Sequence, residues 1–154
     1  MQKDFVKDIF LSFAPVALVA GLGSLFSQMG MEWYDQLQKP DQWLPNFVIP
    51  LIWSVIYVVG AIIIFRLLQT KRMETSLATL FIINGVLNVL WCLVFFTLRQ
   101  RFLAMIIITT NAIFAWLLLG GIFKRNKLFA GLLLIYPIWL NIATTLNLAT
   151  WILN

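Results

Sequence analysis

Asn84, Asn88 and Trp91 recur at i, i+4 and i+7 in a stretch without charge, so all three side chains fall on one stripe of a helix. Tyr136, Trp139, Ala143 and Asn147 recur every three or four residues in a second such stretch, and Trp53 and Tyr57 sit at i, i+4 in a third. Amides, phenols and indoles donate and accept hydrogen bonds and stack on flat molecules, but they are poor proton carriers near neutral pH. The sequence has no histidine, which removes the commonest general base, metal ligand and haem axial ligand. No metal site is expected. The single cysteine, Cys92, has no charged neighbour in the sequence to activate it and reads as a small buried hydrophobe.

These groups need elements to position them, and the composition says which. Of 154 residues, 62% are hydrophobic and only 11% charged, where a soluble domain carries charge on roughly a quarter. Mean hydropathy is +0.93. Polar surface is too scarce to cover a water-soluble globule, so the chain reads as an integral membrane protein. Charge-free runs cover 9–31, 42–65, 75–98, 102–123 and 128–154. Each is long enough for a helix of ~20 residues to cross ~30 Å of hydrocarbon, and none alternates like a barrel strand. The expectation is an all-α bundle of five transmembrane helices forming one domain over 1–154. The expected spans are 9–29, 47–66, 76–97, 102–123 and 128–151, with a lid-like loop at 30–46. The first run is too long for a signal-peptide core and lacks a small-residue cleavage site, so it is read as a retained helix.

Five spans put the N-terminus, the second loop and the fourth loop on one side of the membrane. That side holds Lys3, Lys7, Arg66, Lys71, Arg72, Lys124, Arg125 and Lys127, against Lys39, Arg99 and Arg101 on the other. The positive-inside rule then predicts a cytoplasmic N-terminus and an external C-terminus. The net charge of +5 follows from this loop placement, and no nucleic-acid partner is expected. No Asp, Glu, Lys or Arg lies inside the charge-free runs, which argues against a proton-coupled pump, an ion-coupled transporter or an acid–base hydrolase.

Each polar stripe has two readings. Asn84 and Asn88 must face the bundle, either as helix-to-helix bonds, the commoner use, or as ligand contacts. Trp151 near the end of the fifth span, and Trp53 near the start of the second, suit an interfacial belt. Trp139 lies about 18 Å from Trp151 along a helix, too deep for a belt, and its indole N–H calls for a partner. Pro137 should kink the fifth span and free the carbonyl near Leu133. Asn111, beside Thr109 and Thr110, is assigned to packing. The loop sequence WYDQLQKPDQWLP, Trp33 to Pro45, carries Trp33, Tyr34, Lys39 and Trp43 between turn-forming prolines. Its rings would either stack on a flat ligand or bury against the helix ends, and the two prolines lower its freedom.

Four blocks in this order resemble the TspO/MBR family of tryptophan-rich sensory and translocator proteins, over nearly the whole chain. They are the loop WYDQLQKPDQWLP, WSVIY at 53–57, NGVLNVLWCLVFF at 84–96, and YPIWLNIATTLNLATWILN at 136–154. The resemblance implies a five-helix bundle, usually a homodimer, with the long loop capping a pocket. It implies a membrane receptor for porphyrins, protoporphyrin IX and haem, or similar flat apolar ligands, serving tetrapyrrole sensing, transport or light-dependent breakdown. A porphyrin would be ligand or substrate, with no obligate cofactor. Its pocket tryptophans fall on Trp53 and Trp139, its loop ring on Trp33 or Tyr34, and its third-helix asparagine on Asn88, with Asn84 where many members have glutamine. Lys39 would pair with a propionate. The expected ligand-binding set is Trp33, Tyr34, Lys39, Trp43, Trp53, Tyr57, Asn84, Asn88, Trp91, Tyr136, Trp139, Ala143 and Asn147.

The chain departs from the family pattern in places. One extra residue precedes Trp43, Pro137 is shifted by two positions, and Ile107 stands at an often acidic position. Leu148 and Ile152 replace the Tyr and basic residue of the weak sterol pattern. The expected slot lies among the second, third and fifth spans beneath the loop, in a bacterial cell membrane. No acid–base catalyst is present, so any turnover would need light or oxygen, with Trp53 and Trp139 as the reacting indoles. The competing reading is a small passive transporter or an assembly partner of another membrane protein.

Overall fold

Backbone amides in hydrocarbon have no water to bond, so each apolar run closes its hydrogen bonds within itself. The computed structural model describes residues 2–39 and 47–154; Trp43, Pro40 and Pro45 of the loop lie outside the described residues. The elements are α1 (Gln2–Met29), α2 (Met31–Asp35), α3 (Val48–Gln69), α4 (Thr75–Cys92), α5 (Arg101–Phe123), α6 (Lys127–Leu133) and α7 (Ile135–Leu153). Five helical stretches are long and apolar enough to cross a membrane: Asp4–Met29, Val48–Gln69, Thr75–Thr97, Arg101–Phe123 and Lys127–Leu153. The fold is all-α, as expected, with no strand among the described residues.

The helices form a ring. α1 packs on α3 and α4, α4 on α5, and α5 on α6 and α7, while α3 closes against α6 and α7. The main core holds Ile63, Leu67, Leu77, Ile108, Leu118, Ile122 and Leu140, all essentially sealed from the outside. Large apolar side chains such as Phe10, Leu18, Ile82 and Ile113 face outward, as lipid contact requires. Several hydroxyls within the spans fold back onto their own helices: Ser54 donates to the Pro50 carbonyl at 2.8 Å and Thr109 to that of Met105 at 2.7 Å.

Three local features go beyond the expected five rods. α1 starts at Gln2, and the helix carries on through its charged first turns, where Asp8 accepts from Gln69 Nε2. The third span widens after Cys92 into a π-helical turn, Leu93–Thr97, in which the Leu98 N–H reaches the Leu93 carbonyl at 2.9 Å. α1, α2 and α5 all pack on this turn, so three consecutive side chains, Val94, Phe95 and Phe96, are buried. A second core forms there with Ala104 and Ile107. Gly30 meets the same turn: a Cβ on it would stand 2.1 Å from the Phe96 carbonyl oxygen, so only glycine permits this approach.

The fifth span breaks where Pro137 predicts. Proline offers no N–H to the Leu133 carbonyl, α6 ends at Leu133, and α7 restarts at Ile135. Leu134 keeps helical dihedrals, so the two segments run on with one residue between them. Asn126 caps α6, its side-chain oxygen accepting from the Leu128 and Phe129 amides at 2.9 and 3.1 Å.

Candidate functional site

The stripe on α4 faces inward, as its spacing requires, and meets a residue assigned only to packing. Asn88 Nδ2 donates to the Tyr136 hydroxyl at 2.9 Å, and Asn111 Nδ2 donates to Asn88 Oδ1 at 2.9 Å. The Tyr136 hydroxyl donates to Asn84 Oδ1 at 3.1 Å, and Asn84 Nδ2 turns back to the Leu80 carbonyl at 2.8 Å. Three amides and a phenol from α4, α5 and α7 therefore satisfy one another in the dry middle of the bundle. Asn111 is 1% exposed and is the member that sequence reasoning missed. The one signal was its type: an amide, unlike the flanking threonines, cannot be satisfied by a single back-bond to its own helix.

A second polar chain runs at the loop end of the bundle. Trp91 Nε1 donates to Asn147 Oδ1 at 2.9 Å, and Asn147 Nδ2 donates to the Arg101 carbonyl at 3.2 Å. Arg101 Nη2 donates to the Asn154 carbonyl at 2.9 Å. The Asn154 amide then clasps Gln38, accepting from its N–H and donating to its carbonyl, both at 2.9 Å. The first half of the loop is thereby tied to the end of α7. Trp33 and Tyr34 sit half-buried with their rings against Phe95 and Phe96 of the π-helical turn, at centroid distances of 5.4 to 6.0 Å. Trp91 also stacks on Phe95, at 5.5 Å. Lys39 is occupied locally: its ammonium lies 3.4 Å from Asp35 and 4.2 Å above the Tyr34 ring.

A cavity of about 390 Å³ opens between α1, α3 and α4, with α5, α6 and α7 behind it. It starts at the polar network, where Tyr57, Asn84, Asn88 and Tyr136 form its wall, and extends toward the end carrying the N-terminus, past Phe81 and Ile64 to Leu68 and Met73. Its size is that of a small-molecule site. Its wall is almost wholly apolar apart from the hydroxyls and amides just named. Gly60 contributes bare backbone, and a Cβ there would meet nothing within 4 Å. Leu11 and Ile82 belong to the wall yet are 43% and 65% exposed, so the cavity reaches the lipid-facing surface between α1 and α4.

Of the expected site residues, Tyr57, Asn84, Asn88 and Tyr136 thus come together around this cavity. Trp53, Trp91, Trp139, Ala143 and Asn147 stand outside its wall, and it lies deeper than the slot expected beneath the loop. Trp53 stacks on Tyr57 at 5.7 Å. Trp139 is 3% exposed in the main core, and its indole N–H has no partner among the described residues. The α1 wall, through Pro15, Val16 and Val19, was invisible to motif reading because it carries no polar stripe.

A ring of five membrane-crossing helices, with a nearly apolar cavity walled mainly by α1, α3 and α4 and one buried amide cluster beside it, defines an all-α membrane bundle. Residues 11–152 match the model of the TspO/MBR family, and the chain belongs to that family. It is 31% identical over 153 residues to protein CrtK of Rhodobacter capsulatus, covering 92% of this chain and 89% of that one. It is 30% identical to the tryptophan-rich sensory protein of Cereibacter sphaeroides, over 95% of this chain and 91% of that one. It is 29% identical to the human translocator protein, over 98% of this chain and 92% of that one.

Proposed function

We propose that this protein is a membrane receptor for flat, largely apolar small molecules, porphyrins such as protoporphyrin IX and haem foremost, held in the cavity between α1, α3 and α4. The observation that carries the reading is the coincidence of that cavity with the Asn84–Asn88–Tyr136 cluster. A ligand already dissolved in lipid gains little from the hydrophobic effect on leaving it. Its gain comes from dispersion contacts with walls that otherwise face a void, and from a hydrogen bond that acyl chains cannot offer. Phe81, Tyr57 and Tyr136 supply rings for a planar body. Arg72, next in the chain to wall residue Met73, and Lys71 beside it supply cations for propionates; Arg72 donates only to the neutral Arg125 carbonyl, whereas Lys39 at the loop is already paired with a carboxylate. We place that end in the cytoplasm on the distribution of Lys and Arg, and, on family likeness, we propose that the working unit is a homodimer.

The opening between Leu11 and Ile82 favours passive lateral exchange of the ligand with the membrane as a second role of the same site. Gly60 tests the assignment. Gly60→Leu fills the cavity from a position with free space, and its helix propensity favours the fold by up to ~1 kcal/mol. Protoporphyrin IX should quench the wild-type tryptophan fluorescence saturably, and Gly60→Leu should abolish that saturable component while the melting temperature holds or rises. Undiminished quenching in Gly60→Leu, with loss in Trp53→Phe/Trp139→Phe, would move the site to the loop end.

A further inference from the structure

α1 gives Leu11, Pro15 and Val19 to the cavity wall at four-residue steps, so one stripe of that helix faces the void. Lys7 stands one turn earlier on the same stripe. It is exposed and makes no ion pair or side-chain hydrogen bond among the described residues. α3 leads to the same end. Ile64 and Leu68 line the cavity, and Lys71, also exposed and unpaired among the described residues, follows just past the helix. Lys71 has a φ of 54°, in the left-handed region that glycine enters without strain. A lysine keeps its cation there at a backbone cost.

The net charge of the molecule is concentrated at this end. Its segments hold eight Lys and Arg against three Asp and Glu, whereas those at the loop end hold three against three. Of the three acidic groups, Glu74 is held by Arg125, Asp8 accepts from Gln69, and Asp4 is engaged as well. Leu11, at the opening toward lipid, is one turn from Lys7, so the opening lies about 6 Å along the helix from a free cation. An apolar space open to acyl chains draws no water, and its walls forgo dispersion contacts while it stands empty. The opening borders lipid tails, and its rim offers positive charge. An anionic phospholipid matches both, with a chain for the wall and a phosphate for the lysines. A zwitterionic one brings an ammonium to the same cations.

We propose that the cavity holds one acyl chain of an anionic phospholipid, which enters between Leu11 and Ile82 and leaves its phosphate between Lys7 and Lys71. The proposal uses the cavity described above and does not depend on porphyrin as a ligand. The full chain is reconstituted in porphyrin-free nanodiscs of equimolar phosphatidylglycerol and phosphatidylcholine, and native mass spectrometry reads the lipid that each chain retains on release. One phosphatidylglycerol should be retained, favoured over phosphatidylcholine about five- to thirtyfold, the effect of one or two lysine charges near a membrane surface. Lys7→Gln/Lys71→Gly should lose most of that preference while its melting temperature holds, since glycine suits the backbone at 71. Lys124→Gln/Lys127→Gln removes the same charge at the same end, beside helices that α1 does not touch, and should keep the preference. Gly60→Leu should lose the lipid altogether. Lysophosphatidylglycerol should displace the retained lipid, and the deacylated head group alone should not. Equal loss in the two lysine pairs would reduce the effect to general surface charge and overturn the site. Undiminished retention in Gly60→Leu would put the lipid outside the cavity, with the same consequence. Equal retention of the two phospholipids, or a fatty acid carried from native membranes in their place, overturns the choice of an anionic phospholipid. No porphyrin is present, so the porphyrin reading stands or falls on its own titration.

Discussion

Asn88 joins three helices through one side chain, since it sits on α4, donates to Tyr136 on α7 and accepts from Asn111 on α5. Removing it strands the Asn111 donor in a dry interior, so Asn88→Leu should destabilise the bundle by about 1–3 kcal/mol. The lower end of that range is favoured where the unfolded chain in detergent also finds partners. Thr109→Val, which removes only a bond to its own helix on the lipid side, should change stability by less than ~0.5 kcal/mol. The midpoint of unfolding in a graded detergent mixture checks both, and equal effects would sink the network as a stabilising unit. The inward aim of Asn84 and Asn88 was legible from their four-residue spacing, because a helix in lipid has one face where an amide is tolerated. Asn111 was not legible: nothing on its own helix says that a second amide and a phenol wait opposite.

The π-helical turn and the short helix α2 belong to the scale of the element. Pro137 announced the break in the fifth span, because a missing N–H is a property of one residue. The widened turn at Leu93–Thr97 left no such mark, since nothing in the type of Val94, Phe95 and Phe96, three apolar residues in an apolar run, says that α1, α2 and α5 enclose them. Its tightest contact is backbone on backbone at Gly30. Gly30→Ala would drive a methyl into the Phe96 carbonyl, and the cost should be about 1–3 kcal/mol, read as a lower melting temperature in detergent. Gly85→Ala is the comparison. Its Cβ would stand 3.1 Å from a Val19 methyl in the cavity wall, where a shift of a few tenths of an ångström has room, and the gain in helix propensity of up to ~1 kcal/mol should leave it near neutral. A Gly30→Ala protein as stable as wild type would mean that the turn yields freely.

At the scale of the whole molecule, the loop is held to the far end of the chain by a contact between residues 116 positions apart, Asn154 with Gln38. Asn154→Ala removes both bonds while Trp33 and Tyr34 stay against Phe95 and Phe96. The Gln38 amide should then exchange with deuterium about five- to tenfold faster, the equivalent of one hydrogen bond, with the amides of α2 little changed. Unchanged protection at Gln38 would show that ring packing alone holds the loop. Five charge-free runs separated by short basic or polar gaps settled by themselves that the chain crosses a membrane five times as helices, because hydrocarbon leaves no other way to satisfy a single apolar strand of backbone. The family blocks likewise marked Tyr57, Asn84, Asn88 and Tyr136 from the sequence alone. Only the tertiary structure decided that these four surround a cavity on the side of α1 while Trp53 and Trp139 pack outside it, and that Asn111 completes their hydrogen bonds. Periodicity tells which face of a helix is polar. Which neighbour that face meets, and whether a void lies between them, depends on how five rods are rotated and tilted against one another, and no residue encodes that on its own.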